Sequence, residues 1–179
     1  SEIQRASGAA ERLIELVHTP VDIPQEASPI ALPIKINGNV DLEGLRFSYP
    51  SNKEDVIKGI NLSIQAGERV ALVGESGAGK STLFELLLRF YQPIAGKVML
   101  DDIDISKLSL QQLREQYALV PQESVIFATS VFENVRYGRV DASTEEVVEA
   151  CITAIADEFI RELSDGYDAY LGERGVKLS

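Results

Sequence analysis

The sequence is short of cysteine, histidine and tryptophan, with one Cys, one His and no Trp among its 179 residues. A single cysteine, Cys151, permits no internal disulfide, which fits a reducing compartment. No apolar run approaches the roughly 20 residues that a membrane-spanning helix needs, and no basic start followed by an apolar run marks a signal peptide. These absences predict a soluble, cytosol-facing chain about one domain long.

Positive charge is also scarce, because 17 Lys and Arg residues stand against 28 Asp and Glu, for a formal net charge of -11. Such a balance disfavours broad contact with nucleic-acid phosphates or with an anionic membrane surface. The remaining composition is that of an ordinary globular protein, 45% apolar and 25% charged. It excludes wholesale disorder and permits a sizeable core.

The first 35 residues divide into a helical pattern and a proline-rich stretch. Apolar residues from Ile3 to Val17 recur at three- and four-residue steps, which predicts an amphipathic helix over residues 3–17. Four prolines between Pro20 and Pro33 then indicate a semi-extended linker. We therefore expect a domain boundary near residue 35 and a longer polypeptide upstream.

From Val40 the apolar period changes to two, which predicts β-strands. Val40 and Leu42 alternate, and Leu45 begins a second alternating run one step out of phase, with Gly44 between them. A β-bulge at Gly44 would absorb that slip. A further alternating strand is predicted at Ile60–Ile64, before a tight turn.

The middle of the chain predicts short strands and a short helix. Val70–Val73 is a continuous apolar run, as expected of a strand buried on both faces. A strand at Lys97–Leu100 is followed by an acidic turn, then by a helix over Leu110–Glu115 and a second apolar strand at Tyr117–Val120.

The last third of the chain is predicted to be helical. Ser143 and Glu146 form a capping-box pattern that marks a helix start. Cys151 falls on the apolar face of that helix and is most simply a small core residue.

A glycine-rich loop lies between the Val70–Val73 run and a helical pattern. Its residues are Gly74, Glu75, Ser76, Gly77, Ala78, Gly79, Lys80, Ser81 and Thr82. The glycines allow positive φ angles and a close approach of backbone to phosphate. Successive N–H groups at a helix start form an anion-binding concavity. Lys80 is expected to reach the β- and γ-phosphates of a nucleotide, and the Ser81 hydroxyl to bind Mg²⁺.

Two other segments imitate nucleotide motifs. Residues 52–55 match the pattern that recognises guanine in GTPases. Because they precede the phosphate loop, a solvated turn is the preferred interpretation. Asp101 and Asp102 follow an apolar run and could imitate a Mg²⁺-supporting carboxylate. A hairpin turn between strands is preferred there.

Four segments outside the phosphate loop carry a family resemblance: Phe47–Pro50, Val120–Glu123, Gly172–Gly175 and Val176–Ser179. Together with the loop they resemble the nucleotide-binding domain of ATP-binding cassette (ABC) transporters, from about residue 40 onward. More narrowly, they are similar to the exporter type of bacterial lipid and multidrug flippases. The phosphate loop alone could not indicate this, because many ATPases share it.

The resemblance implies roles for individual residues. Tyr49 would stack on adenine, with a core tyrosine as the alternative, and Val56 would also contact the nucleotide. Gln122, which lies 42 residues after Lys80, would contact Mg²⁺ and the attacking water. Ser179 would begin the nucleotide contacts of the signature motif.

The resemblance also implies a fold and a division of the chain. The fold class is α/β, with a phosphate-loop (RecA-like) core, an N-terminal antiparallel β subdomain and part of a helical subdomain. Residues 1–35 would be a helix and linker from an upstream transmembrane domain. Residues 36–129 would hold the β subdomain and core, and residues 130–179 the partial helical subdomain.

For the full protein the resemblance implies an ATPase with ATP and Mg²⁺ as ligands. Two such domains would pair head to tail, as a homodimer, on the cytoplasmic face of the cell membrane. Coupling helices of the transmembrane domain would contact the loop at Gly172–Gly175. The alternative interpretation of this loop is an exposed turn without a functional role. The catalytic Glu is expected beyond Ser179, so the 179 residues alone are expected to bind ATP and hydrolyse it negligibly. His18 lies in the linker and cannot serve as the family's switch histidine.

Two rival functions remain open at this point. An ABC-type ATPase of DNA repair or chromosome maintenance shares the phosphate loop and the Val120–Glu123 segment that carries Gln122, although the acidic charge argues against it. A nucleotide-binding regulatory module without hydrolysis is the second rival. A transmembrane segment encoded just upstream of Ser1 would remove it.

Overall fold

The computed structural model describes residues 12–14, 17, 23, 26–33, 35–52, 54–122 and 125–172. The chain divides into two compact units, residues 1–118 and residues 119–179. The domain boundaries expected at residues 35 and 129 stay a prediction.

From Val40 onward, the described part of the first unit contains one antiparallel sheet and two α-helices. The strands are β1 (Val40–Phe47), β2 (Ile57–Ile64), β3 (Ala95–Leu100) and β4 (Ile103–Asp104). The helices are α1 (Lys80–Leu87) and α2 (Leu110–Arg114), with a 3₁₀ turn at Ile105–Lys107. The strand order is β2-β1-β3-β4, and every neighbouring pair is antiparallel. The strands predicted at 60–64 and 97–100 and the helix predicted at 110–115 are confirmed.

The predicted bulge in β1 is also confirmed. The register of β1 against β2 shifts between Leu42 and Leu45, and Gly44 has φ +56° while its N–H donates to Asn61 Oδ1 at 2.7 Å. The extra residue lets both Leu42 and Leu45 face the core, since both are buried. The neighbouring strand β3 must leave room for the bulge. A Cβ on Gly96 of β3 would lie 2.4 Å from the Glu43 carbonyl oxygen, so a glycine is needed there.

The core of this unit joins the sheet to the helix that follows the glycine-rich loop. Leu83 and Leu86 of α1 belong to the same buried cluster as Leu45 of β1, Ile57 of β2 and Leu100 of β3. Burying side chains of this size contributes about 1.5–3 kcal/mol each relative to exposure. The position of α1, and of the loop before it, is therefore set by packing on the sheet.

Arg89, just after α1, is a buried cation with a structural role. It is 3% exposed, and its Nη1 donates to the carbonyl oxygens of Ile105 at 2.9 Å and of Leu108 at 2.7 Å. Burial lowers the pKa of its guanidinium from the ordinary value, but an arginine remains charged at neutral pH. Arg89 thus connects the end of α1 to the 3₁₀ turn and the residue after it.

Asp101 occupies the turn between β3 and β4, as the hairpin interpretation predicted. Asp101 and Asp102 have φ +47° and +65°. The Asp101 carboxylate accepts hydrogen bonds from the backbone N–H groups of Asn37, Gly38 and Asn39. It therefore attaches the segment before β1 to the hairpin, and it is committed to a structural role.

The strands predicted at Val70–Val73 and Tyr117–Val120 are wrong for this structure. Neither segment has strand structure, and Val73 and Val120 are 90% and 89% exposed. A strand buried on both faces needs hydrogen-bonded neighbours and covering layers. In the described ranges, the sheet consists of β1 to β4, and none of these strands pairs with either segment.

The second unit is helical, as predicted. Its described elements are α3 (Val131–Arg136), α4 (Thr144–Thr153), α5 (Asp157–Glu162) and a 3₁₀ turn at Gly166–Asp168. The capping box of Ser143 and Glu146 is present at the start of α4. Cys151 is 3% exposed and belongs to the unit's apolar cluster, so its interpretation as a core residue is confirmed.

The predicted N-terminal helix is seen only in part. Arg12, Leu13, Ile14 and Val17 are helical, and the rest of residues 3–17 lies outside the described residues, as does His18. Within the described ranges, no helix combines the length and apolar character needed to cross a bilayer.

Replacing Arg89 with methionine should destabilise the protein by about 2–4 kcal/mol, because the carbonyls of Ile105 and Leu108 would lose their buried donor. Urea denaturation measures the change in the free energy of unfolding. The control is Arg69→Met at an exposed arginine, which should change that free energy by no more than about 0.5 kcal/mol. Equal effects of the two substitutions would contradict the structural role of Arg89.

Replacing Asp101 with asparagine should lower stability in a pH-dependent way. Burial opposes ionisation of Asp101, but the hydrogen bonds from Asn39, Asn37 and Gly38 outweigh it and hold its pKa below the ordinary value. The stabilisation is therefore complete above the unfolded-state pKa of about 3.9 and is lost as the pH falls through the lower folded-state pKa.

We expect Asp101→Asn to cost about 1–2 kcal/mol at pH 7, with the difference from the parent protein shrinking below about pH 4. Thermal or urea denaturation across pH 2–7 checks this. Asp102→Asn is the matched control, because Asp102 lies in the same turn and is exposed. A deficit that is independent of pH would contradict the assignment to the Asp101 carboxylate.

Candidate nucleotide-binding site

The glycine-rich loop leads directly into α1. Gly77 and Gly79 have φ +82° and +86°, in the left-handed region where glycine is favoured. Gly79 is the N-cap residue of α1, and no side chain caps that end by a hydrogen bond. The first turn contains no acidic residue. An uncapped helix start without negative charge attracts anions, because its N–H groups and its dipole point outward.

The loop is held against the sheet at Gly79. A Cβ at this position would lie 2.8 Å from Ile57 Cδ1 and 3.1 Å from Val56 Cγ1. Gly79 is buried, whereas residues 73–78 are exposed. Val56, an expected nucleotide contact, thus packs against the end of the loop, and the loop itself stays open to solvent.

Lys80 folds back over its own loop. Its Nζ donates to the carbonyl oxygens of Gly74 at 2.8 Å and Glu75 at 2.7 Å. An ammonium has three donors, so this arrangement holds the cation above the loop and leaves capacity for an additional acceptor. The positive charge is thereby centred over the loop at the start of α1.

The two hydroxyl residues after Lys80 have different surroundings. Ser81 is exposed, whereas Thr82 is 5% exposed. The Thr82 Oγ1 lies 2.7 Å from the hydroxyl of Tyr49, in the segment that follows β1. Ser81 is therefore available to a ligand, and Thr82 connects the first turn of α1 to Tyr49.

Tyr49 is half-buried among aromatic rings next to α1. Its ring lies 5.0 Å from the ring of Phe47 and 5.2 Å from that of Tyr91, both nearly perpendicular to it. Its hydroxyl also donates to Glu85 Oε2 at 2.7 Å. Burial raises the pKa of the Tyr49 hydroxyl, the Thr82 hydrogen bond lowers it and the Glu85 carboxylate raises it again. The net increase keeps the phenol protonated.

Glu85 is the site residue that the sequence interpretation missed. It lies three residues after Thr82 on α1, so the two side chains share a face of the helix. That spacing was visible in the sequence. The meeting of this face with Tyr49 was not, because it depends on how α1 packs.

The remaining expected site residues belong to the second unit or lie outside the described residues. Gln122 is exposed and belongs to the second unit. Ser179 lies outside the described residues, as do positions 173–175 of the expected coupling loop and the Val176–Ser179 segment. The structure therefore brings together Tyr49, Val56 and the loop, and leaves the other assignments as predictions.

The donor set fits a magnesium ion that arrives with phosphates. Among the described residues, no group of three or more His, Cys, Asp or Glu side chains is arranged to hold a metal ion. Mg²⁺ usually keeps several waters and takes one or two protein oxygens together with substrate phosphates. The exposed Ser81 hydroxyl at the start of α1 can supply one such oxygen.

Residues 52–55, which resemble the guanine-reading motif of GTPases, lie in a polar turn, as the preferred interpretation predicts. Asn52 Oδ1 accepts the Glu54 N–H at 3.1 Å, and Asp55 forms an ion pair with Arg46 of β1 at 2.5 Å. These side chains are engaged locally, which agrees with a structural turn.

A protein-family comparison matches this architecture. The family model described as ABC transporter covers residues 57–171. An ATP-dependent lipid A-core flippase of Chromohalobacter salexigens is 42% identical over 179 residues, which is 100% of this chain and 30% of the flippase. ABC transporter B family member 1 of Arabidopsis thaliana is 40% identical over 173 residues, or 96% of this chain and 14% of that protein. The chain thus spans less than a third of the length of these relatives.

A solved structure agrees with these relatives. The structure of a bacterial Atm1-family ABC exporter with ATP bound aligns with a TM-score of 0.83 and 37% identity, over 99% of this chain and 31% of the exporter chain. This confirms the expected α/β fold class, and these matches give no support to a DNA-repair ATPase. The chain belongs to the ABC transporter family, as a nucleotide-binding domain of the exporter type.

Proposed function

We propose that this chain binds Mg-ATP at the glycine-rich loop and, within the complete protein, hydrolyses it to drive export across a membrane. The observation that carries the proposal is the Lys80 ammonium, held 2.7–2.8 Å from two loop carbonyls above an uncapped helix start. Cationic charge, backbone N–H groups and a helix dipole together favour a polyphosphate.

Each group in the site has a distinct role in this proposal. The N–H groups of residues 77–81 donate to phosphate oxygens, and Lys80 exchanges a carbonyl partner for the β- and γ-phosphates. The Tyr49 ring provides an apolar surface for adenine, with Val56 beside the end of the loop. Ser81 would bind Mg²⁺, and the family resemblance implies Gln122 as a further ligand. A bound Mg²⁺ would neutralise negative charge that develops on the phosphoryl group.

Hydrolysis requires further groups in addition to the residues named above. A general base must lie within hydrogen-bond reach of the attacking water, and the catalytic Glu is expected beyond Ser179. We propose that a second copy of the domain pairs head to tail and completes the site with its signature motif. The 179 residues alone would then bind ATP and turn it over negligibly.

The export proposal rests on the relatives. One is named a lipid A-core flippase, and the aligned solved structure is an ABC exporter. We infer that opening and closing of the paired domains moves transmembrane helices on the same polypeptide, at the cytoplasmic membrane face. The coupling helices of that transmembrane part are the expected partner of residues 172–175.

Lys80→Ala should weaken Mg-ATP binding at least about tenfold, equivalent to about 1.4 kcal/mol, because a charge-assisted contact to phosphate is lost. Turnover by the protein at its full natural length should become negligible. Isothermal titration calorimetry and phosphate release measure the two effects. Lys107→Ala at an exposed lysine is the control, and equal affinities of the two variants would overturn the assignment of the loop.

Ser81→Ala should remove most of the Mg²⁺ dependence of ATP binding, because the hydroxyl oxygen is the proposed protein ligand. Affinity for ATP in EDTA should stay within about twofold of the parent protein, as for any change well below 1.4 kcal/mol. Ser81→Thr keeps the hydroxyl and should restore the Mg²⁺ effect. An unchanged Mg²⁺ effect in Ser81→Ala would exclude Ser81 as a ligand.

A further inference from the structure

A chain of hydrogen bonds runs from the phosphate-loop helix to a glutamate through Tyr49. The Tyr49 hydroxyl lies 2.7 Å from Thr82 Oγ1 and 2.7 Å from Glu85 Oε2. Thr82 is buried, and Tyr49 and Glu85 are half-buried. The three side chains come from two segments that are 33 residues apart in the sequence, between Tyr49 and Thr82.

The direction of this chain follows from proton counting. An ionised carboxylate can only accept, so Tyr49 donates its single proton to Glu85. The Tyr49 oxygen can then only accept from Thr82, and the Thr82 hydroxyl must donate to it. Hydrogen bonds are therefore donated from Thr82 to Tyr49 and from Tyr49 to Glu85. The Glu85 carboxylate at the end fixes the direction of both hydrogen bonds.

The same contacts restrict the orientation of the Tyr49 ring. Thr82 and Glu85, one turn apart on α1, hold the hydroxyl end. Phe47 and Tyr91 contact the ring at centroid distances of 5.0 Å and 5.2 Å. A tyrosine side chain has only two soft dihedral angles, so anchoring the hydroxyl end and the ring leaves little freedom for the ring plane.

We propose that Glu85 is a positioning residue for nucleobase recognition, which acts by fixing the ring plane of Tyr49 through its hydroxyl. This inference rests on the proposed function, because it concerns the surface on which the base stacks. Glu85 itself does not contact the nucleotide. Base stacking depends on the relative orientation of the two rings, so a ring that is no longer held binds the base less well.

Glu85 and Lys80 are expected to affect different parts of nucleotide binding. Glu85 acts on the base and should leave phosphate binding unchanged, whereas Lys80 acts on the phosphates. The binding of ATP and the binding of inorganic tripolyphosphate, which has no base, should therefore respond differently to the two residues.

The test compares dissociation constants for Mg-ATP and Mg-tripolyphosphate by calorimetry, on the protein at its full natural length. Glu85→Ala and Tyr49→Phe should each raise the dissociation constant for ATP about three- to tenfold, with that for tripolyphosphate unchanged. The double variant should be no worse than either single variant, because both changes break the same chain. Glu85→Gln keeps an acceptor oxygen and should recover most of the ATP affinity.

Glu149→Gln is the matched control, since Glu149 is an exposed glutamate on α4 of the second unit. It should change neither affinity. Thermal denaturation of each variant accompanies the binding data. Should Glu85→Ala fail to fold, Tyr49→Phe and Glu85→Gln still test the chain, because Tyr49→Phe removes only the hydroxyl through which Glu85 acts.

Two outcomes would overturn the inference. An ATP affinity unaffected by Glu85→Ala or by Tyr49→Phe would show that the hydrogen-bond chain does not position the base. An equal loss of ATP and tripolyphosphate affinity would show that Glu85 acts on the phosphate loop or on the fold. Failure of the parent protein to bind either compound is a different result, since it overturns the proposed function itself.

Discussion

The close contact between Gly79 and the start of β2 is the constraint on which the site depends. Gly79 has φ +86°, which favours glycine, and a Cβ there would also crowd Ile57 Cδ1 at 2.8 Å and the Val56 carbonyl oxygen at 3.2 Å. The contact places Lys80 and the first turn of α1 at the sheet surface, while the loop before them stays exposed. The anion-binding end of the helix is thus supported by a packed core and open to a ligand.

Three charged groups of the first unit differ in the kind of partner that holds them. Arg89 donates to backbone carbonyl oxygens and Asp101 accepts from backbone N–H groups, and each thereby connects separate segments of the chain. Lys80 donates to two carbonyl oxygens of its own loop, which an incoming phosphate can replace. Charges that join separate segments of the chain stabilise the scaffold, whereas a charge held by exchangeable partners is suited to binding.

In the proposed site, the aromatic cluster beside α1 would link two tasks that nucleotide binding requires. The base needs an apolar surface of fixed orientation, and the phosphates need an oriented helix start. The hydrogen bonds from Thr82 to Tyr49 and from Tyr49 to Glu85 join the ring to that helix. Movement of α1 would therefore move the ring with it, so that the two parts of the site keep their relative position.

Local sequence determined those features that a few neighbouring residues decide. The bulge at Gly44 and the turn at Asp101 were predicted correctly, because a phase slip or a turn signal acts over a few positions; the glycine-rich loop was recognised in the same way. The strand predicted at Val70–Val73 failed, because a strand exists only where another strand pairs with it. The link between Glu85 and Tyr49 likewise needed the tertiary structure, since only the packing of α1 on the sheet brings the carboxylate to the hydroxyl.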